Sequence, residues 1–194
     1  MADKKITALT AGSPVSTDVI PYVSDPSGSA VIKKATLSSF LPRVLFSSTT
    51  SAGNVGAGED DLYSYTLPAS TLSADLQIIT AQFSGYIIGH ASGTRTIKIY
   101  FGGTNIFSSG ALAETSNCNW QANVTLIRVS SSAVKYAVTF MRRATFSTFA
   151  MSQVTGLTLT NTQIFKVTGE SSTATNGDVA LYMGHGILYP IPSL

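Results

Sequence analysis

His90 and His185 are the only imidazoles in the chain, so general-base chemistry would have to run through one of them. His90 lies in Gly89-His90-Ala91-Ser92-Gly93, which reads as a turn between strands, and His185 lies in Gly184-His185-Gly186 within the last strand region. No Gly-x-Ser-x-Gly elbow places a serine for attack, and no His-Glu-x-x-His places a metal-bound water. Both histidines therefore read as structural or surface residues rather than catalytic ones. A catalytic zinc generally takes about three protein ligands, and two distant histidines with the single cysteine, Cys118, supply no adjacent ligand pair. No catalytic residue, metal or cofactor is expected.

Three further patterns carry less than their residue types suggest. Gly53-Asn54-Val55-Gly56-Ala57-Gly58 shares glycines with a phosphate loop but lacks the following Lys-Ser/Thr, so it reads as a flexible bend. Glu59-Asp60-Asp61 offers hard oxygen ligands, yet their consecutive spacing lacks the alternation of a calcium loop, and a solvated strand start is the simpler reading. Asn123-Val124-Thr125 fits a glycosylation sequon but falls inside a predicted strand. Cys118 reads as a small buried hydrophobe. The aromatics Tyr63, Tyr65, Tyr86, Tyr100, Trp120 and Tyr136 could stack on sugar rings where exposed, although most suit a sandwich core or a subunit interface. Tyr86, Tyr100 and Trp120 are the candidate receptor contacts.

The elements that must carry these residues are strands. Of 194 residues only 11% are charged, while 26 Ser, 24 Thr and 16 Gly make up over a third of the chain. That composition favours strands and turns over helices and excludes a helical bundle. Twelve basic and ten acidic residues leave a net charge of +2 with no basic run longer than a pair, so no dense patch for nucleic acid forms. No window of about 18 apolar residues suggests membrane insertion, and no secretory signal is expected.

From about residue 59 the pattern alternates with period two. Tyr63, Tyr65 and Leu67 share a face, as do Ile79, Ala81 and Phe83, then Ile97, Ile99 and Phe101. Gly102-Gly103 joins the last of these to Thr104–Phe107 as a tight hairpin, because glycine takes positive φ without steric cost. Trp120, Ala122, Val124 and Leu126 form another face, followed by Val134, Tyr136, Val138 and Phe140, and later runs at 157–159, 164–167 and 179–189. Roughly eight to ten strands spaced by about 10 to 15 residues predict an all-β fold, an antiparallel β-sandwich of jelly-roll type.

Residues 1–43 stand apart, with four of the seven prolines, Pro14, Pro21, Pro26 and Pro42. Val19–Val23 and Val31–Lys34 read as two extended segments around a turn, and Thr36–Leu41 as one helical turn stopped by Pro42. With roughly ten apolar residues this segment is too small for a core of its own and needs a partner surface or copies of itself. The expected organisation is an extended N-terminal anchoring segment at 1–43, a linker or edge strand at 44–58 and a β-sandwich at 59–194.

Lys5-Ile6-Thr7-Ala8-Leu9-Thr10-Ala11, Ser16-Thr17-Asp18-Val19-Ile20-Pro21 and Lys33-Lys34-Ala35-Thr36-Leu37 together resemble the opening segment of many bacteriophage tail-fibre and related virion proteins. The main part, notably 53–62, Ser64–Ala69, Tyr100–Thr104 and Ser109–Leu112, resembles a β-rich domain of phage fibre or capsid-associated proteins. The resemblance implies a non-enzymatic virion component, assembled in the host bacterial cytoplasm, with Ile6, Leu9, Val19, Ile20, Pro21, Lys33, Lys34, Thr36 and Leu37 as virion-anchoring residues. It further implies a homotrimer that contacts other phage virion proteins and projects its β domain, with a bacterial surface glycan as a possible partner in host adhesion. A capsid decoration or head fibre is the alternative within that class, and a carbohydrate-binding module the alternative outside it. A small hydrolase would rest only on the histidines and serines.

Overall fold

The structure, a computed structural model, describes residues 19–24, 31–36, 41–143 and 145–190. The chain divides into two units, one holding the N-terminal residues through Leu41 and the other spanning Pro42–Ile191. In the first, β1 (Val19–Ser24) pairs antiparallel with β2 (Val31–Thr36), in register from Val19 opposite Thr36 to Ser24 opposite Val31. A two-stranded ribbon tolerates Pro21, because each strand keeps one unpaired side for the missing N–H. Of the helical turn expected over 36–41, Thr36 closes β2 and residues 37–40 lie outside the described residues.

The second unit contains β3 (Arg43–Ser48), β4 (Ala52–Gly53), β5 (Gly58–Leu67), β6 (Ile78–Ile87), β7 (Arg95–Phe101), β8 (Thr104–Ser108), β9 (Cys118–Ser130), β10 (Ala133–Arg142), β11 (Thr145–Val154), β12 (Gln163–Ser171) and β13 (Val179–Tyr189). They form two antiparallel sheets. The larger runs β11-β10-β9-β6-β13-β3 with β4 also on β13, and the smaller runs β5-β12-β7-β8. Eight of these strands pair as nested brackets: β3 with β13, β5 with β12, β6 with β9, and β7 with β8. Successive brackets alternate between the sheets, and the pairs β13–β6 and β12–β7 knit each sheet together. That is the jelly-roll order, a long hairpin rolled up so that its two halves face each other. β10 and β11 extend the larger sheet beyond β9.

The innermost hairpin turns at Gly102 (φ +56°) and Gly103 (φ +80°), as the glycine pair predicts. Both positions need positive φ, which twists the turn to match the strands. Alternation then decides what meets in the middle. Every second residue of β6 and β7 is buried, including Ile79, Phe83, Ile97, Ile99 and Phe101. Phe46 and Phe83 of the larger sheet meet Phe165 of the smaller edge-on, with Phe83 and Phe165 centroids 5.5 Å apart. Edge-to-face packing adds about 0.5–1.5 kcal/mol per pair beyond area burial. The glycines of β13 make room for these rings: a Cβ at Gly186 would lie 2.3 Å from Phe46 Cε1, and one at Gly184 2.8 Å from Phe83 Cδ1.

Two sequence expectations change. The run Leu157–Leu159 is a loop, not a strand; its leucines are buried, and their N–H groups donate to the carbonyls of Ser132 and Ser131 at 3.0 and 3.1 Å. β11, at the edge of the sheet, is an additional strand, which brings the strands among the described residues of the second unit to eleven. Within 44–58, expected as a linker or edge strand, lie most of the edge strand β3 and the short β4, both paired with β13 of the larger sheet.

Candidate functional site

The polar residues that could do chemistry converge at a buried carboxylate. Asp178, just before β13, is fully buried, and Ser171 Oγ and Thr173 Oγ1 donate to its Oδ2 at 2.8 and 2.6 Å. His90 Nε2 lies 2.7 Å from Oδ1, and the fully buried Arg95 places Nη2 3.3 Å from Oδ2. Burial pushes the Asp178 carboxyl up, but the hydrogen bonds from Thr173, Ser171 and His90 outweigh it and hold it below the usual aspartate range. A serine, a histidine and an aspartate therefore meet, but in an order unsuited to nucleophilic catalysis. Ser171 and His90 both bond the carboxylate, so the imidazole is not placed to take the serine proton. The cluster ties the β6–β7 connection to β12 and β13, a role the Asp178 carbonyl reinforces by accepting Ile88 N–H at 2.8 Å. His185 stands on the outer side of β13, between the two glycines that clear the core rings.

The outer face of the smaller sheet is a charged ladder. Lys98 Nζ sits 2.6 Å from Glu59 and 2.8 Å from Glu170, while Tyr100 and Thr168 both donate to Glu59 Oε1 at 2.7 Å. Burial disfavours the Glu59 charge, but hydrogen bonds from Lys98, Thr168 and Tyr100 prevail and lower its carboxyl to about 2. Lys166 pairs with Asp61 at 2.9 Å and lies 5.2 Å above the Tyr100 ring. Asp60 accepts the Val55 N–H at 2.8 Å, so each carboxylate of Glu59-Asp60-Asp61 has a separate protein partner. Among the described residues no three His, Cys, Asp or Glu side chains converge on a metal position.

The larger sheet is different. Its outward residues align across strands in rows: Val44, Ile187, Thr80, Thr125, Ala137, Met151 in one, and Ser47, His185, Gln82, Asn123, Thr139, Phe149 in the next. A further row holds Met183, Ser84, Gln121 and Met141, with Tyr86 beside Asn119 beyond it. Along β6, β9, β10, β11 and β13, Lys135 is the one outward described residue with a full charge. Large apolar side chains stand exposed here, Val44 at 67% and Met151 at 72%. Such a surface can be covered without desolvating ions.

A bulge shapes the far end of this face. The register of β13 on β6 shifts between Leu181 and Met183, which leaves Tyr182 as the extra residue and turns both Tyr182 and Met183 outward. Tyr182 stacks against Tyr86 with centroids 4.8 Å apart and rings tilted by 33°. Two depressions flank the pair, one of about 370 Å³ along Ser84, Asn119, Gln121 and Met183, the other of about 430 Å³ along Asn117 and Ile88; both share Asn119 and Tyr182. Gln121 and Gln82 donate to the same Asn123 oxygen, at 3.2 and 3.1 Å, which fixes how their amides present.

Of the expected receptor contacts, Tyr86 lies in this groove and Tyr100 on the opposite sheet. Trp120 is 2% exposed, packs inward beside Phe140 and donates its indole N–H to the Ala180 carbonyl at 3.2 Å, so it serves the core. Tyr182 was not among the sequence candidates, because a bulge leaves no trace in alternation. Of the anchoring candidates, Val19, Ile20 and Pro21 lie in β1 and Lys33, Lys34 and Thr36 in β2, with Pro21 opposite Lys34; Ile6, Leu9 and Leu37 lie outside the described residues.

No protein-family model and no curated protein matches the chain. Among solved structures it is similar to the CBM2 module of the evolved Dit of Lactobacillus casei BL23 phage J-1, at 8% identity and a TM-score of 0.43, over 77% of this chain and 97% of that one. It is similar also to infectious bursal disease virus of the Gt strain, at 14% identity and 0.35, over 92% of this chain and 40% of that one. For the Gx strain the values are 15% and 0.29, over 91% and 48%, so the chain spans less than half of those viral chains. The jelly-roll assignment rests on the strand pairing described above.

Proposed function

We propose that this chain is a non-catalytic bacteriophage virion component, a short homotrimeric fibre attached through residues 1–43 that projects its jelly-roll domain towards the host surface. One observation carries the reading: the polarity of the larger sheet. The chain enters the sandwich at Arg43 opposite Leu188 and leaves it after Tyr189, so both connections lie at one end of the sheet. The row of Val44, Ile187, Thr80, Thr125, Ala137 and Met151 lies next to that end. Tyr86 lies six residues further along β6 than Thr80, about 20 Å at roughly 3.3 Å per residue. Attachment and self-association at one end leave the other end, with its paired tyrosines, facing outward.

The N-terminal resemblance to phage fibre segments supplies the virion context, and the order of bonds around Asp178 supports a role without turnover. Homotrimerisation gives the small N-terminal segment and the uncharged rows a shared way to be covered. Light scattering of the full chain tests this reading. The expected mass is that of three chains at micromolar concentration; a monomer across the accessible concentration range would overturn self-association.

A further inference from the structure

We infer that the Tyr86–Tyr182 groove is a binding site for neutral pyranose sugars. The inference rests on the virion reading only for its biological setting; the groove supports it by its own chemistry. A pyranose ring presents an apolar C–H face and a rim of hydroxyls that both donate and accept. The groove matches both features. Tyr182, 52% exposed, and Tyr86 offer adjoining aromatic faces, held as a unit by their 4.8 Å stacking. Around them stand Asn117, Asn119, Gln121 and Ser84, groups that donate and accept from the same side chain.

Charge decides between sugar classes. None of the residues lining the two depressions carries a full charge. Arg143 approaches the rim, where its backbone N–H donates to the Asn119 carbonyl at 3.1 Å, but its guanidinium is directed to Glu114 Oε2 at 2.7 Å and the Ser116 carbonyl at 3.2 Å. A uronate, sialate or phosphate would therefore lose its hydration without gaining a matched cation. Neutral hexoses and N-acetylhexosamines suffer no such loss. Backbone geometry prepares the site in advance, since the bulge turns Tyr182 outward and the Asn123 oxygen orients Gln121. Little ordering remains for the ligand to impose.

The test is an array of neutral hexose and N-acetylhexosamine oligosaccharides printed beside uronate- and sialate-containing ones, probed with the full chain, then calorimetric titration of the tightest neutral oligosaccharide. Binding to neutral glycans is expected, with affinity falling about tenfold or more in Tyr182→Ala, as the loss of one stacking partner implies. Tyr182→Phe should stay within about threefold, because the ring face is kept. Ile164→Ala, on the outer face of the other sheet, should bind as the parent does. Melting temperature and light-scattering mass, run on every variant, separate lost binding from lost fold or assembly. No binding on the array, binding restricted to acidic glycans, or titrations unchanged in Tyr182→Ala would each overturn the proposal. A blank array with intact self-association would sink the sugar site alone, whereas neutral-sugar binding by a monomer would keep the site and count against the fibre reading.

Discussion

Asp178 shows how a residue that looks poised for catalysis is set for structure instead. Its carboxylate takes bonds from Ser171, Thr173, His90 and Arg95 in a fully buried place, and removing its charge would strand the Arg95 guanidinium without a counter-ion. Asp178→Asn should therefore cost about 3 to 5 kcal/mol in urea denaturation, whereas His90→Ala, at the half-exposed rim, should cost about 1. Glu59 makes a different prediction. Its folded pKa, about 2, lies below the ordinary 4.5, so its ion pairing contributes stability above about pH 4.5 and loses it as the pH falls towards 2. Stability measured across that acid window should decline less steeply in Glu59→Gln than in the parent. The lowered Asp178 carboxyl acts in the same direction, so the variant should retain part of the slope. Ser171 and Thr173 lie within seven positions of Asp178, but the ion pairs were not legible locally: His90 and Asp178 are 88 positions apart, and Lys98 and Glu170 are 72.

Strands were legible where one face is buried and the other wet. The alternations at 79–83, 97–101 and 120–126 became β6, β7 and β9, because a two-sheet core permits only every second side chain inside. Alternation failed where that condition fails. β11 is an edge strand with Phe149 and Met151 exposed, and Leu157 and Leu159 reach the core from a loop. The Gly184-His185-Gly186 pattern had a signal of another kind, since its glycines mark the places where Phe83 and Phe46 pass close to the backbone. Sheet-level reasoning also yields a test. Ile187 lies on β13, second from the β3 edge of the uncharged row and partly exposed, and Ile187→Lys places a charge on the face proposed to be covered. The variant should melt within about 2 °C of the parent at concentrations where both are monomeric, since surface changes stay within about 0.5 kcal/mol, yet associate at least about tenfold more weakly.

At the scale of the molecule, the low charge of the chain becomes spatially specific. Among the described residues the ion pairs lie on the smaller sheet, around Asp178 and Glu114, or between Arg128 and Asp75, while the outward rows of the larger sheet present hydroxyls, amides and apolar side chains, with Lys135 near the end where the chain enters. One face that carries a single outward charge, Lys135, at the end where the chain enters and paired tyrosines at the opposite end suits the proposed component, which would assemble at its base and recognise at its tip. The jelly-roll order could be anticipated from the number and spacing of strands; the polarity of the sheet could not, since it depends on which strand ends lie together. The most direct test images purified phage particles after labelling with a gold-conjugated antibody against the sandwich. Label standing off the particle surface at regular attachment points is the predicted result. Particles free of label, from lysates in which the protein is abundant, would contradict a virion role.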